Sequence, residues 1–267
     1  MSIESSMKSS RAAASRLVNE RVGPNTSAQR VLTELHAAAS PERAALMQRY
    51  FKTAEGQYGY GDIFLGLSVP QTRKIAANSL QIAPAELDEL AQSKEHEARL
   101  CALVILTTQF KRAKRQPALR ESLLATYDCW LRAGYVNNWD LVDVSAPTLG
   151  QQLFTPERGS ESTDTYLAEL AASDSLWLRR ASVIYTFAVL SIGQIQPTLT
   201  SCERLVYDSE DLINKAVGWA LREVGKRDIE ALQDFLRAHI SAIPRVTLRY
   251  AIEKMPEAER QKWLRYN

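Results

Sequence analysis

Residues 94–115 read KEHEARLCALVILTTQFKRAKR. Leu100, Leu103, Val104 and Leu106 share one side at a 3.6-residue period, and the closing run of cations suits the negative end of a helix dipole. The neighbouring segments follow the same habit. In SPERAALMQRYF (40–51), Ser40 stands at a capping position, Pro41 at the first helical position and Glu42 in the first turn. SLWLRRASVIYTFAVLSIG (175–193), DLINKAVGWALREVGKRD (211–228) and PEAERQKWLRY (256–266) extend it to the end of the chain. Strand patterns scarcely occur. The expected fold is all-α, with about a dozen helices and short connections.

One segment departs from this. EGQYGYGDIFLGLSVP (55–70) holds Gly56, Gly59, Gly61 and Gly66, four of the chain's 11 glycines. It lacks the third glycine and preceding strand of a dinucleotide-binding turn, and the Gly-Lys-Ser/Thr of a phosphate loop. It therefore reads as a long connection between helices, with Tyr58 and Tyr60 as its candidate ligand contacts.

Composition narrows the function. With 45% hydrophobic residues over 267 positions, the chain can bury one sizeable core or a continuous core along a repeat array. The net charge of +2, from 33 basic and 31 acidic residues, gives no global attraction to polyanions, so any basic surface has to be local. Cys101, Cys129 and Cys202 are odd in number and far apart, which fits a reducing compartment. His36, His96 and His239 are too scattered to suggest a metal site and read as ordinary core or surface histidines. No metal or cofactor is expected. No apolar run is long enough to span a membrane, and MSIESSMKSSRAAASRLVNER (1–21) lacks the apolar centre of a secretory signal. Residues 1–26 read as a flexible N-terminal extension, and 27–267 as a single repeat domain.

The tryptophans suggest the repeat. Trp139 and Trp177 are 38 residues apart, and Trp177 and Trp219 are 42 apart, close to the period of HEAT-type helical pairs. Each has charged company at helical spacing: Asp143 beside Trp139, Arg180 beside Trp177, Arg222 and Lys215 beside Trp219. In a solenoid, equivalent faces line one concave surface. Guanidinium forks there would pair with phosphates while indoles meet sugars, bases or cations. Further cations stand in QFKRAKRQPALR (109–120), where a solvated helix end is the simpler account. Tryptophans at such positions more often serve as core than as ligand contacts, so spacing alone leaves both readings open.

VNNWDLVDVSAPTLG (136–150) carries the unusual part. An aspartate on a polyanion-binding surface repels phosphate, so Asp143 either stands apart from the backbone track or performs chemistry. Pro147 cannot donate to the Asp143 carbonyl, so the helix is expected to bend or stop there and turn Trp139 and Asp143 toward an open groove. The alternative makes Asp140 a helix cap and Asp143 the partner of a basic neighbour.

Together, NNWDLVDVSAPTLG, WLRRASVI, NKAVGWALREVGKRD, RYFK and IFLGLSVPQTRK resemble, in linked order from about residue 40 to about 265, the AlkD-like DNA alkylation repair glycosylases. That resemblance implies a right-handed superhelical solenoid of HEAT-like repeats with a concave DNA-binding face. It also implies excision of cationic alkylpurines, of the 3-methyladenine and 7-methylguanine type, from duplex DNA without a metal or base flipping. By position, Asp143 matches the family's catalytic carboxylate, and Trp139 and Trp219 its cleft indoles. Arg180 and Arg222 match arginines on the DNA backbone, and Tyr50 a tyrosine near the cleft. Trp177 falls at a packing position. Asn138 departs from relatives that carry another aromatic there. Some relatives bind branched or damaged DNA without excision, so a non-catalytic DNA-binding repeat protein is the alternative, and a protein-binding scaffold a third reading. The expected setting is the bacterial cytoplasm, as a monomer acting at the nucleoid and away from membranes.

Overall fold

The computed structural model describes residues 27–266, so the expected extension over residues 1–26 lies outside the described residues. Those residues are helical almost throughout, and their only β-type pairing is an isolated bridge between Ile63 and Glu95. The chain divides into two compact units after Ser145.

In the first unit run α1 (Ala28–Ala37), α2 (Pro41–Tyr50), α3 (Val69–Ala77), α4 (Pro84–Ala91), α5 (His96–Arg112) and α6 (Pro117–Arg132). α7 (Trp139–Leu149) follows, and the division falls within it. Serine caps and early prolines set the starts. Ser27 and Ser40 accept backbone N–H groups of the first turn, and Ser68 forms a reciprocal capping box with Gln71. α5 is the centre: α1, α3, α4 and α6 all pack on it. Its Cys101, Ala102, Leu103, Ile105 and Leu106 are buried alike, so the single apolar side expected from the sequence is an all-round apolar surface.

The second unit holds a 3₁₀ turn (Gly150–Gln152), α8 (Ser160–Ala171), α9 (Leu176–Ile184), α10 (Phe187–Leu190) and α11 (Gln196–Leu205). α12 (Asp211–Gly225), α13 (Ile229–His239), α14 (Arg245–Ala251) and α15 (Glu257–Arg265) complete it. α12 is packed by α9, α11, α13 and α14. Its Ile213, Val217, Ala220 and Leu221 join Leu232, Leu236, Leu248 and Ile252 in one core. Each large aliphatic side chain buried there contributes about 1.5–3 kcal/mol. Gly218 lets α14 come close: a Cβ would lie 2.5 Å from the Tyr250 Cβ and 2.7 Å from the Thr247 carbonyl oxygen.

Of the bend or stop expected at Pro147, the stop does not occur at that residue. α7 runs two residues beyond it to Leu149, then tightens into the 3₁₀ turn. Losing one N–H costs one helical bond, and the burial of Ala146, Leu149 and Leu153 around it outweighs that cost.

The glycine-rich segment is a long connection, as expected, but its second half is fixed. The Leu65, Gly66 and Leu67 N–H groups donate to the buried Glu97 carboxylate at 2.9, 2.8 and 3.1 Å. Ile63 exchanges backbone bonds with Lys94 and His96. Gly66 has φ +87°, and a Cβ there would run into the Ser40 carbonyl oxygen, so only glycine lets the loop pass the start of α2.

Candidate functional site

In the first unit the end of α2, the loop and the start of α7 build a row of rings. Trp139 stacks on Phe51 with centroids 5.4 Å apart and planes inclined by 14°. Phe51 stacks on Phe64 at 4.8 Å, and Phe64 on His96 at 4.4 Å. Tyr50 stands edge-on to Trp139 at 6.2 Å. Phe51, Phe64 and His96 are buried, Trp139 is half-buried, and Tyr50 is 67% exposed, so the row runs from core to solvent with Tyr50 and Trp139 at its outer end. The sequence paired Tyr50 with Trp139 only by resemblance; the rings do lie together.

Beneath the row is a charged network that no local sequence pattern announces. His96 Nδ1 lies 3.2 Å from Asp62 Oδ2, and Nε2 lies 2.8 Å from Asp140 Oδ2. A ring with a carboxylate at each nitrogen donates from both, which makes it an imidazolium. Asp62 also pairs with Arg99 at 2.7 Å and accepts from the side-chain amides of Asn137 and Asn138 at 3.1 and 3.3 Å. Burial opposes charge on His96, but the charge and hydrogen bond of Asp140, with the hydrogen bond of Asp62, outweigh it and the repulsion of Arg99, raising the ring to about 9. Burial likewise opposes ionisation of Asp62. Its bond to His96 and the charges of Arg99 and His96 prevail and hold the carboxyl below its ordinary value.

One sequence expectation is corrected here. His96 is no ordinary core histidine, and its partners lie 34 and 44 residues away, where no local pattern could reveal them. Asn138, which departs from relatives with an aromatic residue, is fully buried; its Nδ2 donates to Asp62 and its Oδ1 accepts the Trp139 N–H at 2.9 Å. It anchors α7 from beneath and does not face solvent.

Asp143 follows Trp139 by one turn of α7 and is half-buried. Its charge acts inward as well. Burial raises the Tyr127 hydroxyl above its usual value, the bond to Ser145 opposes this, and the Asp143 and Asp128 carboxylates add to the rise. Asp140 holds His96 with one oxygen and accepts the Leu141 N–H at 2.9 Å with the other; as the second residue of α7 it stands inside the helix and not at the cap position of the sequence alternative.

The other expected site residues belong to the second unit. Trp219, half-buried on α12, meets Phe187 edge-on at 4.6 Å. Arg222, one turn further, is ion-paired with Glu253. Lys215, one turn before Trp219, pairs with Asp211 at 2.7 Å. Arg180 is 5% exposed and donates to the Leu212 carbonyl at 2.7 Å, bracing α9 against the start of α12. Trp177 is buried, in keeping with a packing position. Of the cations in 109–120, Arg120 lies 4.2 Å above the Phe110 ring, while Lys111, Arg112, Lys114 and Arg115 are exposed.

Comparison with known proteins gives these residues a context. Residues 31–255 match the family model described as DNA alkylation repair enzyme. A solved structure described as a predicted DNA alkylation repair enzyme from Enterococcus faecalis superposes with a TM-score of 0.63 at 17% identity, covering 82% of this chain and 97% of that one. At that identity the likeness is one of fold. No curated protein matches.

Proposed function

Because this chain belongs to the family of DNA alkylation repair enzymes, we propose that it is a monofunctional glycosylase. In this reading it hydrolyses the N-glycosidic bond of cationic N-alkylated purines in duplex DNA, as a monomer and without flipping the base. The observation that carries the reading is the outer end of the ring row, where half-buried Trp139 stands one helical turn before half-buried Asp143.

The chemistry asks little else. An N-alkylated purine is positively charged, so its bond to deoxyribose is weakened and the base departs neutral, without a strong general acid. The remaining demand is a sugar that becomes cationic. Asp143 stabilises that charge and orients the attacking water. The Trp139 face attracts cationic base and sugar, an effect of about 0.5–2 kcal/mol depending on desolvation, and Trp219 is assigned the same role. Arg222 exchanges Glu253 for a phosphate when DNA binds. Arg180, already committed to Leu212, contributes to DNA binding mainly by holding α9 in place.

The test is release of methylated bases from alkylated duplex DNA, with spontaneous depurination subtracted. Asp143→Asn keeps the shape and removes the charge, so folding and DNA affinity survive while excision falls by about a hundredfold or more. Undiminished excision in that variant removes Asp143 from the mechanism. Wild-type release no faster than background favours the alternative, a non-catalytic protein that binds branched or distorted DNA.

A further inference from the structure

We infer that His96 is a positioning residue for the Trp139–Asp143 face: donating from both ring nitrogens, it ties the first turn of α7 to the loop, and loss of its proton loosens that turn. Its effect on excision rests on the glycosylase reading above; its effect on Trp139 does not.

The geometry supplies two routes from His96 to Trp139. One is covalent: Asp140, bonded to Nε2 at 2.8 Å, is the residue after Trp139. The other runs through rings, since Phe51 lies 5.2 Å from His96 and 5.4 Å from Trp139. The charged groups facing the imidazole are Asp62 from the loop, Asp140 from α7 and Arg99 from its own helix; Phe51 and Phe64 cover its ring.

Deprotonation transfers one proton to solvent and leaves a ring with one N–H between two carboxylates. One oxygen must then face a nitrogen lone pair. Asp62 keeps Arg99 and the amides of Asn137 and Asn138 in either tautomer. Asp140 depends on His96 and, at its other oxygen, on the Leu141 N–H. The N–H that remains therefore stays toward Asp140, the closer carboxylate with fewer other donors, and the bond lost is the one to Asp62, which cuts the tie from α7 through His96 to the loop and removes the positive charge facing Asp140. Because the folded-state value is raised to about 9, the charged ring's contribution is complete below the ordinary histidine range and is lost as pH rises through about 9.

The experiment is an NMR titration of the full chain from about pH 6 to about pH 10.5, following the ¹⁵N-labelled His96 imidazole and the Trp139 indole. It is run in a Tyr50→Phe background, so that no phenol stands beside the Trp139 indole. His96 should titrate near 9, with the Trp139 indole following at the same midpoint. Asp140→Asn, which removes the chief charge that raises His96, should lower both midpoints by at least one pH unit. His96→Gln should abolish the Trp139 titration.

Either of two results overturns the inference: a His96 midpoint in the ordinary histidine range, or a Trp139 indole that does not move with His96. If a variant fails to fold, the two midpoints in the Tyr50→Phe protein still decide. Excision by the unmodified protein, assayed over the same range, should decline with the midpoint of His96; a flat alkaline profile beside a titrating Trp139 refutes the effect on excision. Wild-type release no faster than background, with Trp139 still following His96, refutes the glycosylase reading and supports the coupling.

Discussion

Trp139 and Trp219 differ in what lies behind them. Trp139 rests on Phe51, which stacks in turn on Phe64, backed by His96 between two carboxylates. Trp219 meets the edge of Phe187, and its helix turns Ile213, Val217 and Leu221 into an aliphatic core. An aliphatic core holds a helix by area and shape, with no charge in it for pH to change. A buried ion network gives little net stability for its size, because desolvation cancels much of the attraction, but it admits few alternative geometries. Under the glycosylase reading, an indole one turn from an aspartate is where orientation counts for more than affinity, and there the ionic support is found.

The largest effect separating the two supports comes from removing a charge. Asp62→Ala leaves His96 and Arg99 buried without their shared counter-ion, at a cost of about 3–5 kcal/mol in urea denaturation at neutral pH. A cost below about 1 kcal/mol would mean that solvent reaches the network and that the contrast with the second unit is false.

An intermediate effect probes the aliphatic side. Gly218→Ala forces α12 away from Tyr250 and Thr247, for about 1–3 kcal/mol of overpacking. That loss should be the same at pH 7 and pH 9.5, whereas the cost of Asp62→Ala changes with the charge on His96. A Gly218→Ala cost that varies with pH would erase the distinction.

The smallest effect is on function. Trp139→Leu and Trp219→Leu each keep apolar bulk and lose the π face, so excision of cationic lesions should fall by about 2- to 30-fold, corresponding to about 0.5–2 kcal/mol, with a smaller change in affinity for undamaged duplex. Parallel losses of excision and affinity would show that both indoles are structural.

Much of the fold could be read from local pattern, because its causes are local. Ser40, Pro41 and Glu42 start α2 where capping chemistry places them, and the cations after α5 stand at its end. α5 was recognisable by the length of its apolar run, but its buried face was not, since both sides are covered. Pro147 does not stop its helix because tertiary burial overrides a local rule. At the site, Trp139 and Asp143 stood out through their spacing on one helix. Tyr50 comes only by resemblance; Asp62 and Arg99 carry no local signal, and His96 reads as an ordinary histidine, because the contacts that define them cross tens of residues. The bond of Asn138 to Asp62 is likewise too distant in sequence to be legible.

The clip formed by Glu97 also bears on how this chain can change in length over evolution. Between Lys52, whose carbonyl accepts the Gly59 N–H, and Gly59 itself lies a small exposed excursion over residues 54–57. Everything that orients Trp139 from the loop begins at Asp62. Insertions in 54–57 therefore cost chiefly loop-closure entropy, about 0.6 kcal/mol for each doubling in length, and leave the ring row untouched. The same change between Asp62 and Leu67 would shift the register of three N–H groups on one buried carboxylate. Length variation is thus confined to one side of a single residue, and the loop can diversify at its tip while its base stays fixed.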